Sequence, residues 1–195
     1  MFKYLQNLAI VLALLPLLSF AQNTEFSIKG KSIGMTPEQA CEGAEVEDHA
    51  AIRKIADQRK IIYKGNSCSV AIASIGGLSN PEPLKMFFWD GRLVRLAARV
   101  EDLDLAEAFT LGEGLSESYG RSFIKRNPPF TTDTWRKKGE KLELEITRIS
   151  DHRRSAGIYL SDENEWARFQ RSLAQVQSAS KEIIRQAGKA DILNR

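Results

Sequence analysis

The hydrophobic pattern of this chain is densest over Leu84-Lys-Met-Phe-Phe-Trp-Asp-Gly-Arg-Leu-Val-Arg-Leu-Ala-Ala-Arg-Val100, two aromatic and aliphatic runs joined by Asp90-Gly91. A two-residue type I′ turn needs φ > 0 at both central positions, which Asp-Gly tolerates, so the stretch predicts a β-hairpin at the centre of a sheet. With Asp90 and Gly91 as the loop, Trp89 falls opposite Arg92, Phe87 opposite Val94 and Lys85 opposite Leu96, and this face is the expected core face. Phe88 then faces Leu93, and Met86 faces Arg95, on the other side. That second face mixes apolar groups with Arg95 and Arg99. Either another part of the chain covers it, or it is a docking surface, where aromatics, Met and Arg are enriched. Met86, Phe88, Arg95 and Arg99 are therefore the candidate partner-binding set.

Phe26–Met35 reads as a short first strand and a glycine-containing turn. Thr36-Pro37-Glu38-Gln39 opens a helix, with Thr36 as N-cap, Pro37 at N1 and a Thr-x-x-Gln capping box. The helix is expected to run to about Gln58, burying Cys41, Ala44, Ala51, Ile52 and Ile55. Ser67–Ile75 predicts a strand, followed by a breaker-rich connection from Gly76 to Pro83. Leu103–Tyr119 predicts a second helix with Leu105, Ala106, Phe109, Leu115 and Tyr119 as its apolar positions, weakened at Gly112 and Gly114 and closed by Gly120.

Thr131–Ile146 predicts a second hairpin turning near Lys138-Gly139-Glu140. It buries Trp135, Leu142, Leu144 and Ile146 and leaves Glu143 and Glu145 outward, as candidates for meeting Arg95 and Arg99. Ala156–Leu160 is a further strand. Ser161 is then the expected cap of a long helix over 162–188, with Trp166, Phe169, Leu173 and Val176 at three-four-three spacing. Beyond Val176 the stripe thins to Ser180, Ile183 and Ala187.

Each of two units is thus a helix followed by about three strands, and a terminal helix follows them. The expected fold is α+β: a mostly antiparallel sheet with helices packed on one face, two helix-plus-strands units and a long C-terminal helix. The N-terminus reads differently. Lys3, an apolar stretch interrupted by Pro16, and Ser19-Phe20-Ala21 have the order of a secretory signal peptide, with cleavage expected after Ala21. The organisation is then a signal peptide over 1–21, an α+β domain over 22–178 and a helical or frayed tail over 179–195. The mature chain is expected to be periplasmic or secreted, with no membrane span once the signal is removed.

Export changes the reading of the two cysteines. In an oxidising compartment Cys41 and Cys68 are expected to form a disulfide, which a strand running back along the first helix allows. The formal net charge is +3, and loss of Lys3 leaves +2. So weak an excess argues against a nucleic-acid partner.

The chain holds few arrangements able to do chemistry. Ser122-Phe-Ile-Lys125 matches the Ser-x-x-Lys of penicillin-recognising enzymes without the companion motifs. Glu45, Asp48 and His49 lack the His-x-x-x-His pairing of a metal site, and His49 and His152 each stand beside an acid that sequence neighbourhood alone cannot orient. No catalytic residue, metal ligand or cofactor is assigned.

Ile28-Lys-Gly-Lys-Ser-Ile-Gly-Met-Thr-Pro-Glu-Gln-Ala40 resembles the Gly-Met-Thr helix entry of small exported bacterial α+β proteins. These are the outer-membrane-assembly lipoproteins of the SmpA/OmlA type and the β-lactamase-inhibitor-protein group. Phe88-Trp89-Asp90-Gly91-Arg92-Leu93 resembles the aromatic hairpin that follows the helix there. The lipid-attachment cysteine and the inhibitor group's cysteine spacing are missing. The resemblance implies a layered fold that works by binding proteins and transfers no functional residue. The expected function is that of an exported, non-enzymatic binding protein whose partner is another protein of the cell envelope. The alternatives are a small periplasmic hydrolase, using His49 or Asp48, and an inhibitor of a secreted enzyme.

Overall fold

The structure is a computed structural model and describes residues 25–193, with side chains for residues 25–186. The expected signal peptide and its cleavage point after Ala21 lie outside the described residues. In chain order the elements are α1 (Pro37–Ala40), β1 (Val46–Glu47), α2 (Ala50–Gln58), β2 (Gly65–Val70), β3 (Ser74–Ile75), β4 (Leu78–Ser79), β5 (Leu84–Trp89) and β6 (Arg92–Leu103). They continue with α3 (Leu105–Tyr119), β7 (Phe123–Asn127), β8 (Phe130–Lys137), β9 (Glu140–Arg148), β10 (Arg154–Asp162) and α4 (Glu163–Leu193). Eight strands form one antiparallel sheet in the order β1-β2-β5-β6-β10-β9-β8-β7, and β3 and β4 make a separate small ribbon. The fold is α+β, with a mostly antiparallel sheet and a long C-terminal helix. The two units lie side by side in that sheet, joined where β6 pairs with β10, Leu96 opposite Leu160 and Ala98 opposite Ile158.

The central hairpin forms as its turn chemistry requires, with φ of 53° at Asp90 and 72° at Gly91. Its pairing begins as expected, Trp89 opposite Arg92 and Phe88 opposite Leu93, and then slips. Phe87 meets Arg95, Met86 meets Leu96 and Lys85 meets Ala97, because Val94 is taken up in a bulge. The bulge brings Leu96, Ala98 and Val100 onto the side of Leu84, Met86, Phe88 and Leu93, and all seven are buried. The expected core face is therefore inverted.

Phe87 and Trp89, on the opposite side, are covered by Trp166 and Phe169 of α4, with Ala56 of α2 and Tyr63 in the same cluster. The large core, which includes Leu111 of α3 and Ala40 of α1, fills the other side. Where one helical layer was expected, the sheet carries one on each face. Both faces of β5 are apolar and each has to be buried.

Other expectations change for local reasons. The first helix does not run to Gln58: Glu42 and Gly43 adopt φ of 50° and 83°, which end α1, and the chain makes β1 before α2 begins. Phe26–Met35 makes a turn closed by a bridge between Ile28 and Lys31 rather than a strand. α3 runs without a break through Gly112 and Gly114, capped at Asp104, whose Oδ1 accepts from the Glu107 N–H at 2.8 Å. It buries Ala108 and Leu111, while Leu105 and Phe109 of the expected apolar face are 65% and 63% exposed.

Ser161 belongs to β10. The cap of α4 is Asp162, whose Oδ1 accepts from the backbone N–H groups of Asn164 and Glu165 at 2.9 Å each. α4 is about 46 Å long at helical rise, and Phe169, Ser172 and Val176 are its buried positions. The second hairpin is as expected, with Lys138 and Gly139 at the turn and Trp135, Leu142 and Leu144 buried.

Cys41 and Cys68 are bonded, with a Cα–Cα distance of 6.2 Å, and tie the end of α1 to β2. Closing a loop across a sequence separation of 27 is worth about 3.5 kcal/mol in the chain-entropy model. Replacing both cysteines by serine is expected to lower the unfolding free energy by about that amount and the melting temperature by about 10 °C, measured by urea and thermal denaturation. The intact mass of the unsubstituted protein is expected to be unchanged by alkylation without reductant.

Candidate functional site

The four residues expected to bind a partner do not share a surface. Met86 and Phe88 have 0% exposure and belong to the large core, so they are unavailable to a partner. The bulge at Val94 contributes by setting Leu96, Ala98 and Val100 on their face in place of Arg95 and Arg99. Arg95 lies on the opposite face with its guanidinium 4.7 Å from the ring centroids of both Tyr159 and Trp166. Burial pushes its pKa down, and Glu143, Tyr159 and Glu145 push it back up. A cation held between two aromatic rings is a packing element of the α4 layer. Arg99 is exposed and pairs with Glu101 at 3.1 Å.

A polar chain that sequence alone did not assemble lies between α2 and the β1 edge. His49 precedes α2, and its Nδ1 lies 2.7 Å from the Tyr63 hydroxyl and its Nε2 3.0 Å from Ser67 Oγ. The Ser67 hydroxyl donates to Glu47 Oε2 at 3.0 Å. A serine hydroxyl has one hydrogen, so Nε2 donates to Ser67 and Nδ1 accepts from Tyr63. Asp48 is turned away into an ion pair with Arg53.

Tyr63 also packs edge-on to Trp89, with centroids 5.9 Å apart, and against Phe169 at 6.0 Å. Gly65 makes room for it, since a Cβ there would lie 2.7 Å from both Tyr63 Cζ and Phe169 Cε2. The chain thus links β1, β2 and the foot of α2 to the aromatic layer under α4. Ser67 is only 8% exposed. Burial lowers the pKa of His49, opposed by Glu47, and raises that of Tyr63, opposed by Arg53. His152 is exposed in the turn between β9 and β10.

The third arrangement is a surface. Large apolar side chains are conspicuously exposed at the β7 end of the sheet: Leu105 and Phe109 on α3, Phe123 (69% exposed) and Ile124 on β7, Phe130 on β8, and Ile149 just after β9. All five residues of β7 are exposed. Gly112 of α3 lies over the sheet, since a Cβ there would be 3.7 Å from Asp133 Oδ2 of β8, whereas Leu105 and Phe109 earlier in the helix are exposed. Ile124 pairs with Asp133 and Arg126 with Thr131, which places Ile124 and Arg126 on the α3 side of the sheet. Phe123 and Lys125 project from the other side.

Burial raises the Asp133 pKa, opposed by Arg126, and Asp133 Oδ1 has no hydrogen-bond partner. A cleft of about 650 Å³ adjoins this surface at the end of α3, bounded by Tyr119, Gly120, Phe123, Thr134, Trp135 and Arg136. Its wall is held by the Trp135 indole N–H, which donates to the Gly120 carbonyl at 2.8 Å.

β7 was not expected. Ser122-Phe-Ile-Lys125 matches the Ser-x-x-Lys spacing of an acylating pair, but Phe-Ile with Asn-Pro-Pro two residues on has the pattern of a strand with a terminator. Lys125 lies in that exposed strand, and Ser122 just precedes it.

Because His49 is held neutral in the fold, the unfolded chain binds the extra proton as pH falls below the ordinary histidine pKa of about 6.5. His49's contribution to stability is present above that value and lost as pH falls through the lower folded-state pKa. H49Q is expected to flatten the dependence of unfolding free energy on pH below the ordinary histidine value of about 6.5 and to cost roughly 1–2 kcal/mol at pH 7.5, measured by urea denaturation at a series of pH values. No family model, curated protein or solved structure matches this chain.

Proposed function

We propose that this is an exported, non-enzymatic binding protein that holds another protein of the cell envelope through the surface formed by α3 and the β7–β8 hairpin. One observation carries the reading: of the eight large apolar side chains exposed among the described residues, six lie on α3, β7, the start of β8 and the residue after β9, the other two being Ile62 and Ile184. Such a concentration is costly in water and marks an interaction site. The disulfide fits an oxidising compartment. Among the described residues no helix is long and apolar enough to cross a membrane. The resemblance of the Gly34-Met35-Thr36 entry to exported protein-binding proteins supports the same reading. A secreted enzyme held as an inhibitor holds its target is one form such a partner can take.

A second reading, a hydrolase using Ser67 and His49, is favoured by their 3.0 Å separation. A general base has to accept the nucleophile's proton. In this arrangement Ser67 gives its hydrogen to Glu47 and receives one from His49, which is the reverse of activation.

A photo-crosslinking residue at Phe109 or Phe123 is expected to give discrete adducts in cells, and one at the exposed Ile184 of α4 to give none. Adducts at Ile184 with none at the other two sites would remove the α3–β7 surface. A fluorophosphonate is expected to leave Ser67 unmodified by mass spectrometry, and a stoichiometric adduct there would establish the hydrolase instead.

A further inference from the structure

We propose that β7 takes up an extended acidic segment of its partner as a ninth strand of the sheet, an inference that rests on the docking surface above and names what it accepts. β7 is the last strand of the sheet and has β8 as its one strand neighbour among the described residues. Alternate residues of Phe123–Asn127 therefore direct N–H and C=O groups outward, and such an edge is a template for one more strand.

The charge on the edge selects the occupant. Residues 121–132 contain Arg121, Lys125 and Arg126 and no acid. Arg121 and Lys125 form no ion pair among the described residues. A second copy of β7, paired about the strand centre, would set Lys125 against Lys125, and like charges directly opposite one another destabilise a ladder. An acidic strand meets the same edge with the opposite sign.

The side chains also set an order. Phe123 and Ile124, on opposite faces, present apolar surface at the start of β7, and Lys125 and Arg126, again on opposite faces, present charge after them. An antiparallel occupant matches this with two acids followed by two apolar residues, and a parallel one with the reverse order.

The test uses the protein as isolated after export and two capped peptides, Thr-Glu-Glu-Val-Val-Thr and Thr-Val-Val-Glu-Glu-Thr, with lysine in place of glutamate as controls. Nuclear magnetic resonance titration and amide exchange are expected to show one acidic order binding and slowing exchange at alternate amides of 123–127 by tenfold or more, with neither lysine peptide doing so. N-methylation of the bound peptide's backbone nitrogens is expected to abolish the effect. R121E/K125E alters two exposed side chains and is expected to weaken binding roughly tenfold with an unchanged circular dichroism spectrum. Equal binding by the lysine peptides, binding that leaves 123–127 unprotected, or no binding by either acidic order would overturn the proposal. Crosslinks at Phe109 and Phe123 without acidic-peptide binding would end strand addition and leave the docking surface standing.

Discussion

The pairing of β6 with β10 is the interaction on which the rest of the structure depends. It joins the last strand of each unit, so that two meanders that would separately have exposed edges become one sheet of eight strands. Their hydrophobic residues then add up to a single large core, Leu96 and Ala98 beside Leu160 and Ile158. A three- or four-stranded meander has little apolar area to set against its conformational entropy, whereas the fused sheet buries both halves together. The Val94 bulge belongs to the same arrangement, because it adjusts β6 so that one face serves β5 and β10 alike.

Coverage of that sheet is uneven. Over β2, β5 and β6 both faces are closed, one by the large core with α1 and α3 and the other by the aromatic layer of Phe87, Trp89, Trp166 and Phe169. The disulfide and the Tyr63–His49–Ser67–Glu47 chain hold the same half. At the other end the sheet runs out to β7, whose five residues are all exposed, and α3 presents Leu105 and Phe109 beside it. One half of the sheet is thus closed on both faces, and the other ends in an exposed strand.

The hydrogen-bonded histidine illustrates how proximity differs from chemistry. His49 lies within hydrogen-bond reach of both a serine and a tyrosine, yet the direction of donation, set by Glu47, makes the group a cross-link. Its role is to satisfy polar groups that α2 and the sheet edge would otherwise bury unpaired, and the cost of leaving such groups unmade explains why they are joined in a continuous chain.

What the sequence determined by itself was local. Asp90-Gly91 and Lys138-Gly139 specify two tight turns through backbone conformation, Thr36-Pro37 starts a helix, the alternation of Leu142 and Leu144 marks a half-buried strand, and the spacing of Trp166, Phe169, Leu173 and Val176 marks the inner face of α4. Two cysteines in a sequence whose N-terminus reads as an export signal lead to the expectation of their bond, which the structure contains. Tertiary structure alone decided which face of an element was inside whenever both faces were apolar. Met86 and Phe88 are buried rather than exposed because a one-residue bulge in β6 puts Leu96, Ala98 and Val100 on their face and the large core packs there, and α3 turns Leu105 and Phe109 outward because the sheet takes Ala108 and Leu111 instead. Local pattern measures how apolar a face is, whereas burial depends on what remote segment comes to lie against it. The open edge at β7 has the same origin, since a strand becomes an edge only through the order in which the others assemble.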